Sequence, residues 1–320
     1  MKGRAGLGID AGGTFTKIVV VSDRGLALAE GRVPTLPGRG PKSFVARVAR
    51  AVQALERRSG LMPEAACLAI AGDVDVVTGS LRRSGNLVPF EKFPMRTALS
   101  KAIGRGVRMH NDANMAAWGC YVLELGRRAE NIVAVTLGTG VGGGIVLGGK
   151  LYTGSTGSAG EIGHMRVRHP EGGLCSCGAR GCLESHGGSI GIVRMARELM
   201  SERPGVPSRL RSFPGGRFDS KDISEAAAEG DRLARAVLGR MGEALGVGLV
   251  GLVYLLNPDA VVFCGGISRA ASWFMPAVRR ALAAETYRGP FGHVRVLVSR
   301  RPDIGVLGAG LYSIEGAPVE

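Results

Sequence analysis

One imidazole and three thiols, His164, Cys175, Cys177 and Cys182, fall within a single short stretch of the sequence. They make up the donor set of a closed tetrahedral Zn2+ site, in which protein ligands fill every position and the ion is structural. Gly178 and Gly181 inside the cysteine loop permit the tight backbone that converging ligands require. A disulfide with one spare thiol, or three unliganded buried thiols, are the competing readings. Cys67, Cys120 and Cys264 lie in apolar runs and read as core residues.

A second chemistry is written in glycine. In Asp10-Ala-Gly12-Gly13-Thr14-Phe-Thr16-Lys17, residues without side chains let backbone N–H groups approach phosphate oxygens, and Thr14 adds a hydroxyl donor. Asp10, at the end of an apolar run, suits a Mg2+ ion, which takes one or two carboxylates plus phosphate. The loop lacks Gly-Lys-Ser/Thr and is followed by a strand, so it is not a Walker A loop. A second unit of the same design, IVAVTLGTGVGGGIVL over residues 132–147, centres on Gly138-Thr139-Gly140 and suggests an internal duplication. A third cluster, Gly265-Gly266, follows a buried run; it could flank an adenosine or simply turn a strand into a helix. Asn111-Asp112 closes another short strand. Asp112 there could accept a proton from an attacking hydroxyl, or the pair could be a helix N-cap.

These side chains need elements to carry them. Leu7–Asp10 and Thr16–Val21 read as two strands around a turn, Phe44–Arg58 as an amphipathic helix, and Cys67–Ala71 and Val107–His110 as buried strands. Ala113–Leu125 has helical periodicity, helices dominate 190–256, Arg203–Phe218 is a surface loop, and Ala260–Cys264 is a strand. Strands alternating with helices predict an α/β fold with largely parallel sheets. The twin hairpins predict two lobes with a cleft between them.

With 320 residues and 45% apolar content the chain is an ordinary globular protein of about two domains. Its 52 glycines are about twice the usual share and show no collagen period. The net charge of +14 rests on 34 Arg and only 7 Lys, with no basic run longer than two and few aromatics. We read it as arginine spread over solvated faces, so neither nucleic acid nor a membrane is expected as partner. No secretory signal is visible at the N-terminus, and the longest apolar stretch, Ala244–Leu256, is too short to cross a bilayer and carries three glycines. A cytoplasmic location follows as the expectation.

Taken together, these motifs resemble the ROK family of sugar kinases and sugar-responsive repressors, from Leu7 to about Leu311. The resemblance rests on Asp10–Lys17, Asn111-Asp112-Ala-Asn114, Leu137–Gly144, Gly160-Glu-Ile-Gly-His164, Cys175-Ser-Cys-Gly-Ala-Arg-Gly-Cys-Leu-Glu184, Phe263–Ile267 and Gly308-Ala309. It implies a two-lobed, actin-like (ribonuclease H-like) α/β fold with ATP in the interlobe cleft. By that resemblance residues 1–114 form a small lobe, with a C-terminal helix at about 304–320 packing back on it. Residues 115–303 then form a larger lobe carrying a zinc loop, 164–184.

The implied activity is an ATP-dependent hexose kinase, glucokinase-like, acting on the 6-hydroxyl. Asp112 would be its general base, with Gly72, Asn86, Asn111, Glu161, His164 and Glu184 holding the sugar. ATP and Mg2+ would be held by Asp10, Gly12, Gly13, Thr14, Lys17, Gly138, Thr139, Gly140, Gly265 and Gly266. His164 would serve both sugar and zinc. A homodimer or homotetramer is implied as well. Fructose, mannose, allose or an N-acetylhexosamine as acceptor, and polyphosphate as donor, are the alternatives. A repressor of this family carries a helix-turn-helix domain before the first glycine loop; with Asp10 as the tenth residue, a repressor is not the expectation. In Ala69-Ile-Ala-Gly72-Asp73-Val-Asp75, Asp73 replaces the family's usual Pro or Arg near the sugar, and an extra acid there could change which sugar binds.

Overall fold

In the computed structural model the described residues are 4–168 and 172–315. The chain opens with strands β1 (Ala5–Ala11), β2 (Phe15–Ser22) and β3 (Ala27–Pro34), then helix α1 (Pro41–Ser59). Strands β4 (Ala65–Ile70), β5 (Asp73–Asp75) and β6 (Ser80–Arg83) follow, then α2 (Met95–Ile103), β7 (Gly106–Asn111) and α3 (Asp112–Gly119). Next come β8 (Ile132–Leu137), β9 (Val141–Leu147), β10 (Lys150–Tyr152), α4 (Glu184–Gly187), α5 (Ser189–Glu202), α6 (Ser220–Ala228) and α7 (Arg232–Leu256). The chain closes with β11 (Ala260–Cys264), α8 (Ala271–Ala283), β12 (Arg295–Val298) and α9 (Ile304–Glu315).

Packing divides the chain into one compact unit of residues 1–130, 144–160 and 303–320 and a second of 131–143 and 161–302. The sequence-drawn boundary at 114/115 falls inside α3. The first unit keeps that helix because α3 is packed backbone to backbone on α9: a Cβ on Gly308 would lie 2.0 Å from the Met115 carbonyl. The first sheet runs β3-β2-β1-β4-β7, and the second runs β10-β9-β8-β11-β12. Both have the same plan. An antiparallel pair (β2 with β3, β9 with β10) supplies one edge, and parallel strands (β1-β4-β7, β8-β11-β12) the other. The sheets are therefore mixed rather than largely parallel, because the glycine turns are too short for the crossover a parallel pair needs.

The first core is built from Leu7, Ile9, Ile18, Phe44, Leu68, Phe90 and their neighbours; the second from Val133, Val135, Leu245, Leu249, Phe263 and Phe274 among others. Helix α1 turns Phe44, Val48, Val52 and Leu55 inward at helical spacing and ends at Gly60 in the left-handed region. Among the described residues, α7 alone is long and apolar enough to cross a membrane, but 61% of its apolar window is buried. It packs on α8 so closely that a Cβ at Gly242 would sit 2.3 Å from the Phe274 carbonyl, and it ends at Asn257 (φ 41°) before Pro258. The single helix expected over 113–125 is α3 followed by a wide π turn, Cys120–Glu124, where Gly119 meets the Ile304 carbonyl of α9. The 203–218 loop contains two short 3-10 turns, pinned where Arg211 donates to the carbonyls of Met200, Arg203 and Val206. Of the helix expected at 304–320, residues 316–320 lie outside the described residues.

Candidate active site and metal centre

In the first unit Asp10 is the penultimate residue of β1, and the strand register sets it directly opposite Lys17 of β2. The Gly12-Gly13-Thr14 turn between them is locked from behind. Thr35, fully buried, donates its hydroxyl to the Gly12 carbonyl at 2.7 Å, and its backbone N–H donates to the Thr14 carbonyl at 2.9 Å. Thr14 itself is exposed. Nothing in the glycine motif announces Thr35, a single threonine in a Pro/Gly loop.

Lys17 donates to Asp303 at 2.5 Å, which ties the hairpin to the residue before α9. Two residues on, a Cβ placed on Gly305 would lie 3.8 Å from the Asp10 carboxylate and 3.9 Å from the Asp112 carbonyl. The first turn of α9 thus lies against the segments that carry both carboxylates. Burial drives Asp10 up to about 7; the nearby Asp112 and Asp303 charges add to the rise, and Lys17 only partly offsets it. Burial likewise raises Asp112, against the backbone N–H groups of Ala113, at 2.9 Å, and of Asp112 itself.

Asn111 resolves the ambiguity of its dipeptide. Its Oδ1 accepts from the N–H groups of Ala113 (2.8 Å) and Asn114 (3.4 Å), so Asn111 is the N-cap of α3 and Asp112 begins the helix. Its Nδ2 donates to the Gly72 carbonyl at 3.0 Å, leaving one N–H for a ligand. Gly72 is in the positive-φ region (129°), with a would-be Cβ 2.6 Å from the Arg83 carbonyl, so no side chain fits there. Asn86 is exposed and packs against Gly13, with 3.4 Å between its Cβ and the place a Gly13 Cβ would take.

In the second unit the Gly138-Thr139-Gly140 turn closes on itself through the Gly138 N–H and the Gly140 carbonyl at 3.0 Å. The carbonyls of Gly138 and Thr139 accept the Ser189 N–H that begins α5. Glu184 uses the room Gly140 leaves: a Cβ at Gly140 would be 2.2 Å from its Oε2. That oxygen accepts the Val141 N–H at 3.2 Å, while Oε1 accepts the Ser176 hydroxyl at 2.5 Å. Glu184 therefore joins the glycine turn to the cysteine loop, through a serine that the cysteine spacing alone does not flag. Gly265 (φ 93°) is required by packing, since a Cβ there would lie 2.5 Å from the Leu137 carbonyl; Gly266 faces open space.

The four expected metal ligands come together, with their donor atoms all within 4.8 Å of one another. The Cys177 and Cys182 sulfurs are 3.8 Å apart, and the Cys175 sulfur lies 3.6 Å from His164 Nδ1. Zn–S bonds of about 2.3 Å at tetrahedral angles put sulfurs about 3.8 Å apart, so the residues fit zinc. The Gly178 N–H to Cys175 carbonyl bond (3.0 Å), with Gly178 at φ 87°, folds the knuckle that aims the sulfurs inward. His164 Nδ1 faces the thiols, while Nε2 points to Glu161, 3.9 Å from its carboxylate. One face of the imidazole serves the cluster, and the other is turned to an exposed acid.

A profile of the ROK family matches residues 6–314. A glucokinase of Thermotoga maritima is 33% identical over 305 residues, 95% of each chain. The crystal structure of a ROK family glucokinase from Streptomyces griseus, in complex with glucose and AMPPNP, superposes with a TM-score of 0.83. It is 32% identical, with 98% of this chain and all of that one covered. The ROK hexokinase from Thermus thermophilus gives a TM-score of 0.78 at 28% identity, covering 97% and 98%. The fold is the actin-like ATPase fold shared with these kinases, and the chain belongs to the ROK family.

Proposed function

We propose that this chain is an ATP-dependent glucose kinase that transfers the γ-phosphoryl group of ATP to the sugar 6-hydroxyl. Asp112 carries the reading. It is a carboxylate at the carboxyl end of a parallel strand, on the first turn of a helix, raised by burial, with no cation among the described residues acting on it. A base in that state takes the hydroxyl proton as the oxygen attacks; the O–P bond to the sugar forms, the bond to the ADP oxygen breaks, and ADP leaves. Full-length similarity to glucokinases of known name supports glucose as acceptor and ATP as donor.

Asp10, a carboxylate that burial and the neighbouring Asp112 hold well above its usual range, fits a Mg2+ ion bound with the nucleotide. When bound, that ion neutralises charge on the phosphates. The N–H groups of the two glycine turns and the Thr14 hydroxyl hold phosphate oxygens. Asn111 through its remaining N–H, with Asn86, Glu161, Glu184 and His164 Nε2, orients the sugar hydroxyls. His164, Cys175, Cys177 and Cys182 hold a structural Zn2+ that stiffens the loop carrying His164.

The test is an ADP-release assay over glucose, fructose, mannose, allose and N-acetylhexosamines, run in parallel with a polyphosphate-donor assay that detects the sugar phosphate. Glucose with ATP giving the highest kcat/KM is the expected result. No hexose-dependent turnover with either donor would overturn the reading.

A further inference from the structure

Asp73, the acid that departs from the family pattern beside Gly72, does not stand free. Its Oδ2 accepts Arg82 Nε at 3.0 Å, and its Oδ1 accepts Arg82 Nη2 at 3.1 Å, a two-point guanidinium–carboxylate pair. Oδ1 also accepts the Ser158 hydroxyl at 2.8 Å. Burial opposes ionisation, but the hydrogen bonds from Arg82 and Ser158 outweigh it and hold the carboxyl below its usual range. Arg82 is spent as fully. Nη1 meets Asp75 at 3.3 Å, and Nη2 also reaches Ser158 Oγ and the carbonyls of Val74 and Thr156.

This cluster ties three pieces of the first unit together: β5, β6 and the segment 153–160. Gly157 (φ 88°) lets that segment approach, since a Cβ there would sit 3.0 Å from the Val74 carbonyl. Both ends of the tie lead to residues with proposed sugar contacts. On one side, Gly72 precedes Asp73 and holds Asn111 through its carbonyl. Beyond β6, the Ser84 hydroxyl donates to the Ala71 carbonyl at 2.8 Å and accepts the Leu87 N–H at 3.2 Å, fixing the turn that carries Asn86. On the other side, the held segment ends at Gly160, and Glu161 is the next residue.

We infer that Asp73, Arg82 and Ser158 form a positioning clamp that fixes segment 153–160 on the β5–β6 hairpin and thereby sets hexose affinity, with none of the three touching the sugar. The inference rests on the proposed hexose kinase activity for its kinetic half; the anchoring half stands apart from it. Asp73 acts through geometry, and a compensating Arg82 accompanies it in the same sequence.

The test compares Arg82→Ala, Asp73→Ala, Ser158→Ala and the Asp73→Ala/Arg82→Ala pair by steady-state kinetics and by amide hydrogen exchange. Arg82→Ala is expected to raise the hexose KM about tenfold, with kcat and the ATP KM within about twofold. Exchange at residues 153–160, including the Ala159 N–H now bonded to the Thr153 carbonyl, is expected to speed up about tenfold or more. The double variant is expected to be no worse than Arg82→Ala, because the two residues act as one unit. Ser158→Ala removes one hydroxyl and gives a smaller shift in the same directions, which keeps the test sound if the arginine variant folds poorly. Unchanged exchange in every variant would overturn the clamp. Faster exchange with an unchanged hexose KM, or equal damage to the hexose and ATP constants, would overturn its link to affinity. A wild-type protein inactive on every hexose would instead overturn the proposed activity and the affinity link with it, while exchange still reads the anchoring.

Discussion

In the first unit Asp10, Lys17, Asp112 and Asp303 are drawn from four separate segments, and Lys17 and Asp303 lie 286 residues apart in sequence. In the second unit His164, Cys175, Cys177 and Cys182 lie close together in the sequence, and local backbone hydrogen bonds close the knuckle that begins at Cys175. The carboxylate group is short of positive charge: burial raises both Asp10 and Asp112, and one lysine, Lys17, serves Asp10 and Asp303. The thiol–imidazole group is complete in number and spacing for an ion that fills it. A site with unmet charge is poised to move a proton or take a cation, whereas a site with every ligand in place holds shape. On the proposed reading, chemistry belongs to the first and rigidity to the second.

That contrast can be broken in several ways. The largest effect is expected from Asp112→Asn, which keeps the shape of the side chain and removes its basicity. Turnover should fall by about 100-fold or more in the ADP-release assay. Next, metal analysis of protein purified without chelator should give one zinc per chain. Cys182→Ser should lose that zinc and lower Tm by about 5 °C or more in a calorimetric scan. A Cys182→Ser protein that kept its zinc would show that the four side chains are not the ligands.

Asp10 gives a pH test whose sign follows from its folded value of about 7 against 3.8 as the ordinary value. Between those values the folded state holds more protons than the unfolded one, so this group's contribution to stability falls as pH rises from about 4 to about 7. Asp10→Asn should raise the Tm of metal-free protein by a few degrees near pH 8, and the gain should shrink as pH drops toward 4. The same variant should weaken Mg2+-nucleotide binding. In the wild type that binding should weaken below about pH 7, by up to tenfold per unit, in a calorimetric titration. The smallest effect is expected from Asp303→Asn, which frees Lys17 from its partner. It should lower kcat/KM for ATP by about threefold to tenfold and leave the hexose KM unchanged.

The two sites also differ in how far they can be read from sequence. The cysteine loop was legible because its ligands are close in the chain and their types are rare; only Ser176, bridging to Glu184, was hidden among them. The glycine turns were legible as turns and the twin sheets as a duplication, since both depend on local pattern. What stayed hidden depends on distant approach. Asp303 and Gly305 matter because α9 returns to β1, and Thr35 matters because its loop folds under Gly12. Asn111 could be read as a cap or as a ligand, and its geometry assigns its oxygen and one N–H to the protein. Asp73 read as an extra acid near the sugar; the two-point pair with Arg82 could not be seen without the β5–β6 register.

The division of labour is tested most directly by titrating glucose into Asp112→Asn protein by calorimetry, on the same preparation whose turnover has been measured. The account predicts a dissociation constant within about threefold of wild type while turnover is lost, because Asp112 acts on the proton. Substantial turnover in that variant, or glucose affinity lost in proportion to activity, would contradict it.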